Sequence, residues 1–247
     1  MNGIEQIFSP SFLYNTRYAN AGLAIGLFIV GFAGYHYISL FLRNWAYRLT
    51  TLENSFISAV SQRIIGFFFL GFIPMVLFVH IQDISLQKYG INFHNLEVSL
   101  IWIGIFTPII ILVNSFIAGK ATNLQNYPQI RLRTWSVQSL IINFSTWLLY
   151  LFAYEAFFRG LLLFSFYYTF GIKTAIIVNI ILYALVHLPK GNKEMIGSIP
   201  FGLVLCMITL NTGSFFAAFL IHGIMAISYE FFSIKAHPEM SINIKSI

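Results

Sequence analysis

Four ionisable side chains lie where an apolar helix would ordinarily carry none. Glu155 and Arg159 sit in the apolar run 151–164, His187 closes the segment that begins at Tyr183, and His222 follows Phe219, Leu220 and Ile221. At four-residue spacing Glu155 and Arg159 share one helix face, so carboxylate and guanidinium can pair and offset part of each other's desolvation. A charge held at the centre of a bilayer costs roughly 3 kcal/mol on insertion scales. Keeping two requires either an interlocking ion pair or a function. A lone histidine in such a setting is ordinarily a hydrogen-bonded packing residue. An acid facing an imidazole, with an arginine one turn from the acid, is instead a general acid–base constellation of the kind that activates water.

Helix geometry says which elements must bring these groups together. If Gly171 to Lys173 forms a tight turn, Glu155 lies about 16 residues before it and His187 about 16 after it, roughly 24 Å from the turn on both arms of an antiparallel hairpin. That places Glu155 opposite His187. Counted from a turn at Asn211 to Ser214, His222 is only about 15 Å deep, and Glu230 comes nearer the level of the other two. Tilt of about 20° would absorb part of the offset.

The composition identifies the medium. The chain has 247 residues, of which 58% are hydrophobic and 9% charged, with 14 basic and 8 acidic side chains. An ordinary soluble domain is about a quarter charged. So little ionic surface excludes a water-soluble globule, a disordered chain and a nucleic-acid-binding face, and the single Cys206 excludes an internal disulfide framework. Apolar stretches run over Asn20–Leu42, Arg63–His80, Val98–Ala118, Thr174–Leu188, Met195–Leu210 and Gly213–Phe232. The expected fold is all-α, a polytopic membrane helix bundle of about seven spans in one domain, 1–247, with a short cytoplasmic tail from Ser233 to Ile247. Trp135 to Phe170 would make a helix of about 54 Å against a hydrocarbon core of about 30 Å, so it must be kinked, tilted or divided, and division would give eight spans. The polar stripe Ser136, Ser139, Asn143, Thr146 and Tyr150 predicts that its first part is an interfacial helix.

Residues 1–19 carry no signal-peptide pattern, so the first span is expected to be retained. With seven spans and the N-terminus outside, ten basic residues, Arg63 among them, fall on the inner side and Arg17, Lys88 and Lys173 on the outer, as the positive-inside rule requires. The C-terminus is then cytoplasmic. Gly22 and Gly26 form a small-residue pair suited to close helix packing. Pro74 and Pro108 are expected to kink their spans, while His36 and His80 fall near span ends and His94 and His237 in a loop and the tail.

The motifs resemble those of the CAAX protease and bacteriocin-processing family, also called Abi or CPBP, which includes the type II CAAX prenyl endopeptidases. Its pattern is Glu-Glu-x-x-x-Arg, then Phe-x-x-x-His, then His-x-x-x-Asn on three helices; here Tyr154, Glu155 and Arg159, then Tyr183 and His187, then His222 and Ala226 occupy those places. The likeness covers roughly residues 135–232, the expected protease-like core. It implies an intramembrane endopeptidase acting on a membrane-associated peptide or protein, with the first glutamate and first histidine activating water and the second histidine and asparagine steadying the oxyanion. The first glutamate is Tyr154 here and the asparagine is Ala226. The sequence also resembles a bacterial branch that begins the motif Tyr-Glu and continues His-x-Pro-Lys with a nearby Glu, which brings in Lys190 and Glu194, and Glu230 near the end of the last span.

Three readings follow. In the first, Glu155 and His187 polarise a water, His222 donates to the oxyanion, Arg159 orients Glu155, and no cofactor is needed. A zinc version would use Glu155, His187 and His222 as ligands with one position open, although Arg159 would compete for the carboxylate. The alternative from another class is a catalytically inactive membrane scaffold or immunity-type protein of the same fold, which would explain Tyr154 and Ala226 directly. A proton-coupled transporter ranks behind these, since no paired broken helices recur in two halves. The basic loops and retained first span suit a bacterial plasma membrane.

Overall fold

The structure is a computed structural model that describes residues 16–46, 53–82 and 84–243. Its helices are α1 (Thr16–Ala46), α2 (Glu53–Phe67), α3 (Ile73–Gln82), α4 (Leu96–Ile117), α5 (Ala121–Leu124), α6 (Val137–Glu155), α7 (Leu163–Phe170), α8 (Ile172–His187), α9 (Asn192–Thr212) and α10 (Phe216–Ala236). Two wide π turns, Phe68–Phe72 and Ala156–Leu162, join α2 to α3 and α6 to α7 without a break. Six rods are long and apolar enough to cross a membrane, and α8 is a shorter apolar helix. An apolar medium leaves helices as the way to satisfy the backbone internally, which is why each apolar run becomes one rod. The chain is an all-α integral membrane bundle.

The difficult stretch from 135 to 170 is a single rod, Val137–Phe170. At 1.5 Å per residue it is about 51 Å long, and it forms the centre of the bundle. Ser136 caps its N-terminus by accepting a hydrogen bond from the Ser139 amide at 3.1 Å. The first part is continuous with the rest of the rod and not a separate helix: Asn143, Trp147 and Leu151 are buried, and from the polar stripe Asn143 and Thr146 accept hydrogen bonds from Arg63. Around this rod, α4 lies outermost, with Ile101, Leu112 and Phe116 exposed as a lipid-facing surface requires. Gly171, at φ +82°, makes the turn from α7 into α8.

A Cβ at Gly22 or Gly26 would meet nothing within 4 Å from other elements among the described residues, so the close packing expected of them is not made with those residues. Gly71 makes it instead: a Cβ at that position would collide with the backbone and side chain of Ala153. The π turn carrying Gly71 is thus pressed onto the last turn of α6.

The segment expected as a tail begins inside a helix. Helix α10 runs on to Ala236, and Ser233 and Ile234 are fully buried. Beyond it β2 (Ser241–Ile242) pairs in parallel with β1 (Thr134–Trp135). Ile130, Trp135 and Ile234 form a small apolar cluster beneath this ladder, which fixes the entry to α6 against the exit from α10.

Candidate active site

The positions of Glu155 and its neighbours follow from two helix registers. Against α10, the central rod runs antiparallel: Glu155 meets His222, and Trp147, eight residues earlier, meets Glu230, eight residues later. Against α8 the arms are not level at the Gly171 turn. Asn179 receives Arg159 Nη1 at 3.1 Å and donates to the Phe158 carbonyl at 2.6 Å, so a residue 8 positions after Gly171 meets residues 12 and 13 positions before it. The level of Glu155 on α8 is therefore Tyr183, and His187 falls one turn beyond. The π turn at Ala156–Leu162 takes in an extra residue and contributes to this offset. Equal residue counts from the Gly171 turn misplaced His187 for this reason, whereas the level of His222 is set by the separate register of α10 against α6.

The imidazole that meets Glu155 is accordingly that of His222, not His187. Glu155 Oε1 lies 2.6 Å from His222 Nδ1 and Oε2 lies 3.5 Å from Arg159 Nε. Both Glu155 and Arg159 are fully buried. A carboxylate oxygen accepts, so Nδ1 of His222 is the nitrogen that donates to Glu155, and Nε2 is the ring nitrogen left for other partners. His187 is fixed in the same sense, with Nδ1 2.7 Å from the Tyr183 carbonyl, which can only accept. Tyr183 lies among three of these groups: its ring centroid is 4.6 Å from that of His187 and 6.2 Å from that of His222, and the Arg159 guanidinium lies 4.4 Å from it.

These groups border a cavity of about 920 Å³, within the size range of sites that hold a ligand. Tyr154, Tyr183, His187, His222 and Ala226 line it, whereas Glu155 and Arg159 stand behind that wall. The acid thus reaches the cavity through His222. Tyr154, in the place where the resembling motif has its first glutamate, faces the cavity directly. The other end is polar, lined by Arg63, Gln129, Arg131 and Glu194. There the Tyr127 hydroxyl donates to Glu194, and burial together with that carboxylate raises the Tyr127 pKa well above the usual phenol value. Tyr127 also packs edge-on against Tyr229, with centroids 4.9 Å apart. Lys190 ends the short turn after α8; its side chain is outside the described residues.

Sequence reasoning missed a second charged centre. Arg63 was expected at the inner end of a span, yet it lies inside a helix that begins ten residues earlier and is 4% exposed. Its Nη1 donates to Asn143 Oδ1 at 2.6 Å and Thr146 Oγ1 at 3.2 Å, its Nη2 to Gln129 Oε1 at 3.2 Å, and its guanidinium lies 4.3 Å from the Trp147 ring centroid. Glu230 Oε1 stands 3.6 Å away and also accepts from Trp147 Nε1 and the Gln129 amide. Glu230 belongs to this centre rather than to the level of Glu155. The available signal was Phe56, Ala59 and Val60 upstream of Arg63, with no Gly or Pro to interrupt the helix.

The zinc set does not fit. Glu155 serves the Nδ1 side of His222 and the Arg159 guanidinium, so it cannot also share a metal with the other face of His222. Among the described residues no three His, Cys, Asp or Glu side chains are grouped to hold a metal ion.

Fold and site together define a polytopic helical membrane protein with an acid–imidazole pair on the wall of an internal cavity. In comparison with known proteins, residues 135–228 match the family model described as Rce1-like, type II CAAX prenyl endopeptidase Rce1-like. The relationship to the CAAX protease family expected from the motifs therefore holds over the segment that contains Glu155, His187 and His222. No curated protein and no solved structure matches the chain.

Proposed function

We propose that the protein is an intramembrane endopeptidase that hydrolyses a peptide bond of a membrane-associated peptide or protein, with no metal, through a water activated at the cavity wall. The single observation carrying this reading is the 2.6 Å contact between Glu155 and His222 at the edge of a large internal cavity. Glu155 holds His222 with its Nε2 lone pair available to take a proton from water, and stabilises the imidazolium that forms. Arg159 holds Glu155 in place, so both charged residues are positioning groups. His187, with its ring on the same cavity, is the second imidazole for the substrate. Glu194 at the polar end serves as an accessory group for the peptide, with Lys190 of the preceding turn assigned to the same role, and Glu230 fixes α10. The charge bias orients the N-terminus outside and the C-terminus in the cytoplasm of a bacterial cell, with residues 135–232 as the proteolytic core.

Comparing membrane peptides from cells carrying wild-type protein with those from Glu155→Gln and His222→Ala cells tests this reading. Cleavage products present only with wild type are expected. The competing reading, a scaffold without hydrolysis, draws on Tyr154 and Ala226, both of which line the cavity where the resembling motif has an acid and an amide. It predicts identical peptide profiles in all three strains and an unchanged cellular phenotype.

A further inference from the structure

Tyr154 stands where an acid is missing, yet its position is not that of a packing residue. The residue is 3% exposed, and its hydroxyl has no hydrogen-bond partner among the described residues. Among the described residues it is the one buried tyrosine hydroxyl in that condition. A buried hydroxyl is ordinarily satisfied, so an orphan on the wall of a cavity marks a place where a ligand supplies the acceptor. The ring cannot swing away to find one. It is stacked on Phe158 with centroids 4.5 Å apart and on Tyr150 at 5.6 Å, and Tyr183 closes a third side at 6.0 Å. Its remaining neighbour is His222, edge-on at 6.2 Å.

We propose that the Tyr154 hydroxyl is the oxyanion donor, hydrogen-bonding the carbonyl oxygen of the peptide bond that is cleaved. The proposal rests on the peptidase reading above and completes it. Water adds its oxygen to the carbonyl carbon while one of its protons passes to His222 Nε2. The carbonyl π pair moves onto the oxygen, which becomes an alkoxide beside the Tyr154 O–H. The C–N bond then breaks, the alkoxide pair re-forms the carbonyl, and the proton on His222 goes to the leaving amine. Tyr154 stays a phenol throughout and donates one hydrogen bond, which is strongest when the negative charge has formed. A donor fixed in advance by stacked rings is suited to that role.

The test removes one oxygen atom. Wild type, Tyr154→Phe, Glu155→Gln and His222→Ala are reconstituted in phosphatidylglycerol–phosphatidylethanolamine vesicles with a randomised quenched-fluorescent peptide library. Tyr154→Phe should lower kcat by 10- to 1000-fold with KM changed less than threefold, and should keep the wild-type melting temperature in detergent. It should also weaken binding of a phosphonate peptide, whose tetrahedral anion mimics the intermediate, by a factor comparable to the loss in kcat. Wild-type kcat in Tyr154→Phe, with Glu155→Gln and His222→Ala inactive, overturns the donor role and leaves the peptidase reading standing. Full activity in Glu155→Gln and His222→Ala, or no cleavage by wild type, overturns both. A loss of kcat without any loss of phosphonate affinity assigns Tyr154 a structural role and also overturns the donor role.

Discussion

Glu155 and His222 are 67 residues apart in the chain and 2.6 Å apart in space. The same antiparallel register carries Trp147 to Glu230 and, through them, Arg63. One helix pair thus holds two charged centres two turns apart, one behind the cavity's histidines and one at its polar end. The two differ in what they leave for a ligand: the first presents an imidazole, the second a guanidinium already occupied by five partners.

Replacing Arg159 by Met should destabilise the protein by about 3–5 kcal/mol, because it strands Glu155 in a fully buried position with His222 alone. The double variant Glu155→Gln/Arg159→Met should recover part of that loss. Thermal unfolding in detergent measures both, and a strictly additive result would contradict the pairing.

Arg63→Lys keeps the charge and loses the fork. An ammonium cannot reach Asn143, Thr146 and Gln129 at once or lie flat on Trp147. A loss of about 2 kcal/mol or more is expected, at the scale of one or two charge-assisted hydrogen bonds. The melting temperature of Arg63→Lys against wild type in the same detergent checks it; no shift would mean that charge alone suffices.

Two glycine substitutions should act in opposite directions. Gly71→Ala drives a methyl group into Ala153 and should cost about 1–3 kcal/mol as overpacking. Gly26→Ala meets open space and should be neutral or stabilising by up to about 1 kcal/mol, since alanine loses less backbone freedom in a helix. Melting curves of the two variants side by side decide the matter.

Chelation should leave peptide cleavage intact, because Glu155 is committed to His222 and Arg159. The measurement is activity of the reconstituted protein before and after dialysis against EDTA, with metal content read by emission spectrometry. Activity lost with EDTA and restored by zinc would refute the metal-free route.

How much of this was legible in the sequence depended on whether a feature is local. Spans, the Gly171 turn and the Glu155–Arg159 pair are local and could be read from spacing. The partnership with His222 was not, because it depends on the register between α6 and α10, two helices distant in the chain, while the level of His187 depends on hairpin arms offset by a turn and on a π turn that no composition signals. Arg63 was hidden by the opposite error: a cation at the edge of an apolar run looks like an interfacial charge until Asn143, Thr146 and Gln129 are seen to surround it. The polar stripe of α6 had the right periodicity but was assigned to the wrong surroundings, since amphipathicity does not say whether the polar face meets water or buried partners.

The four-residue spacing of Glu155 and Arg159 has a consequence for biosynthesis. When the translocon releases the rod that bears them, His222 has not yet been made, and the only counter-ion on hand is the one a single turn away. The nascent segment can therefore enter lipid as a self-neutralised unit, and the histidine takes up its place when the final hydrophobic helix arrives.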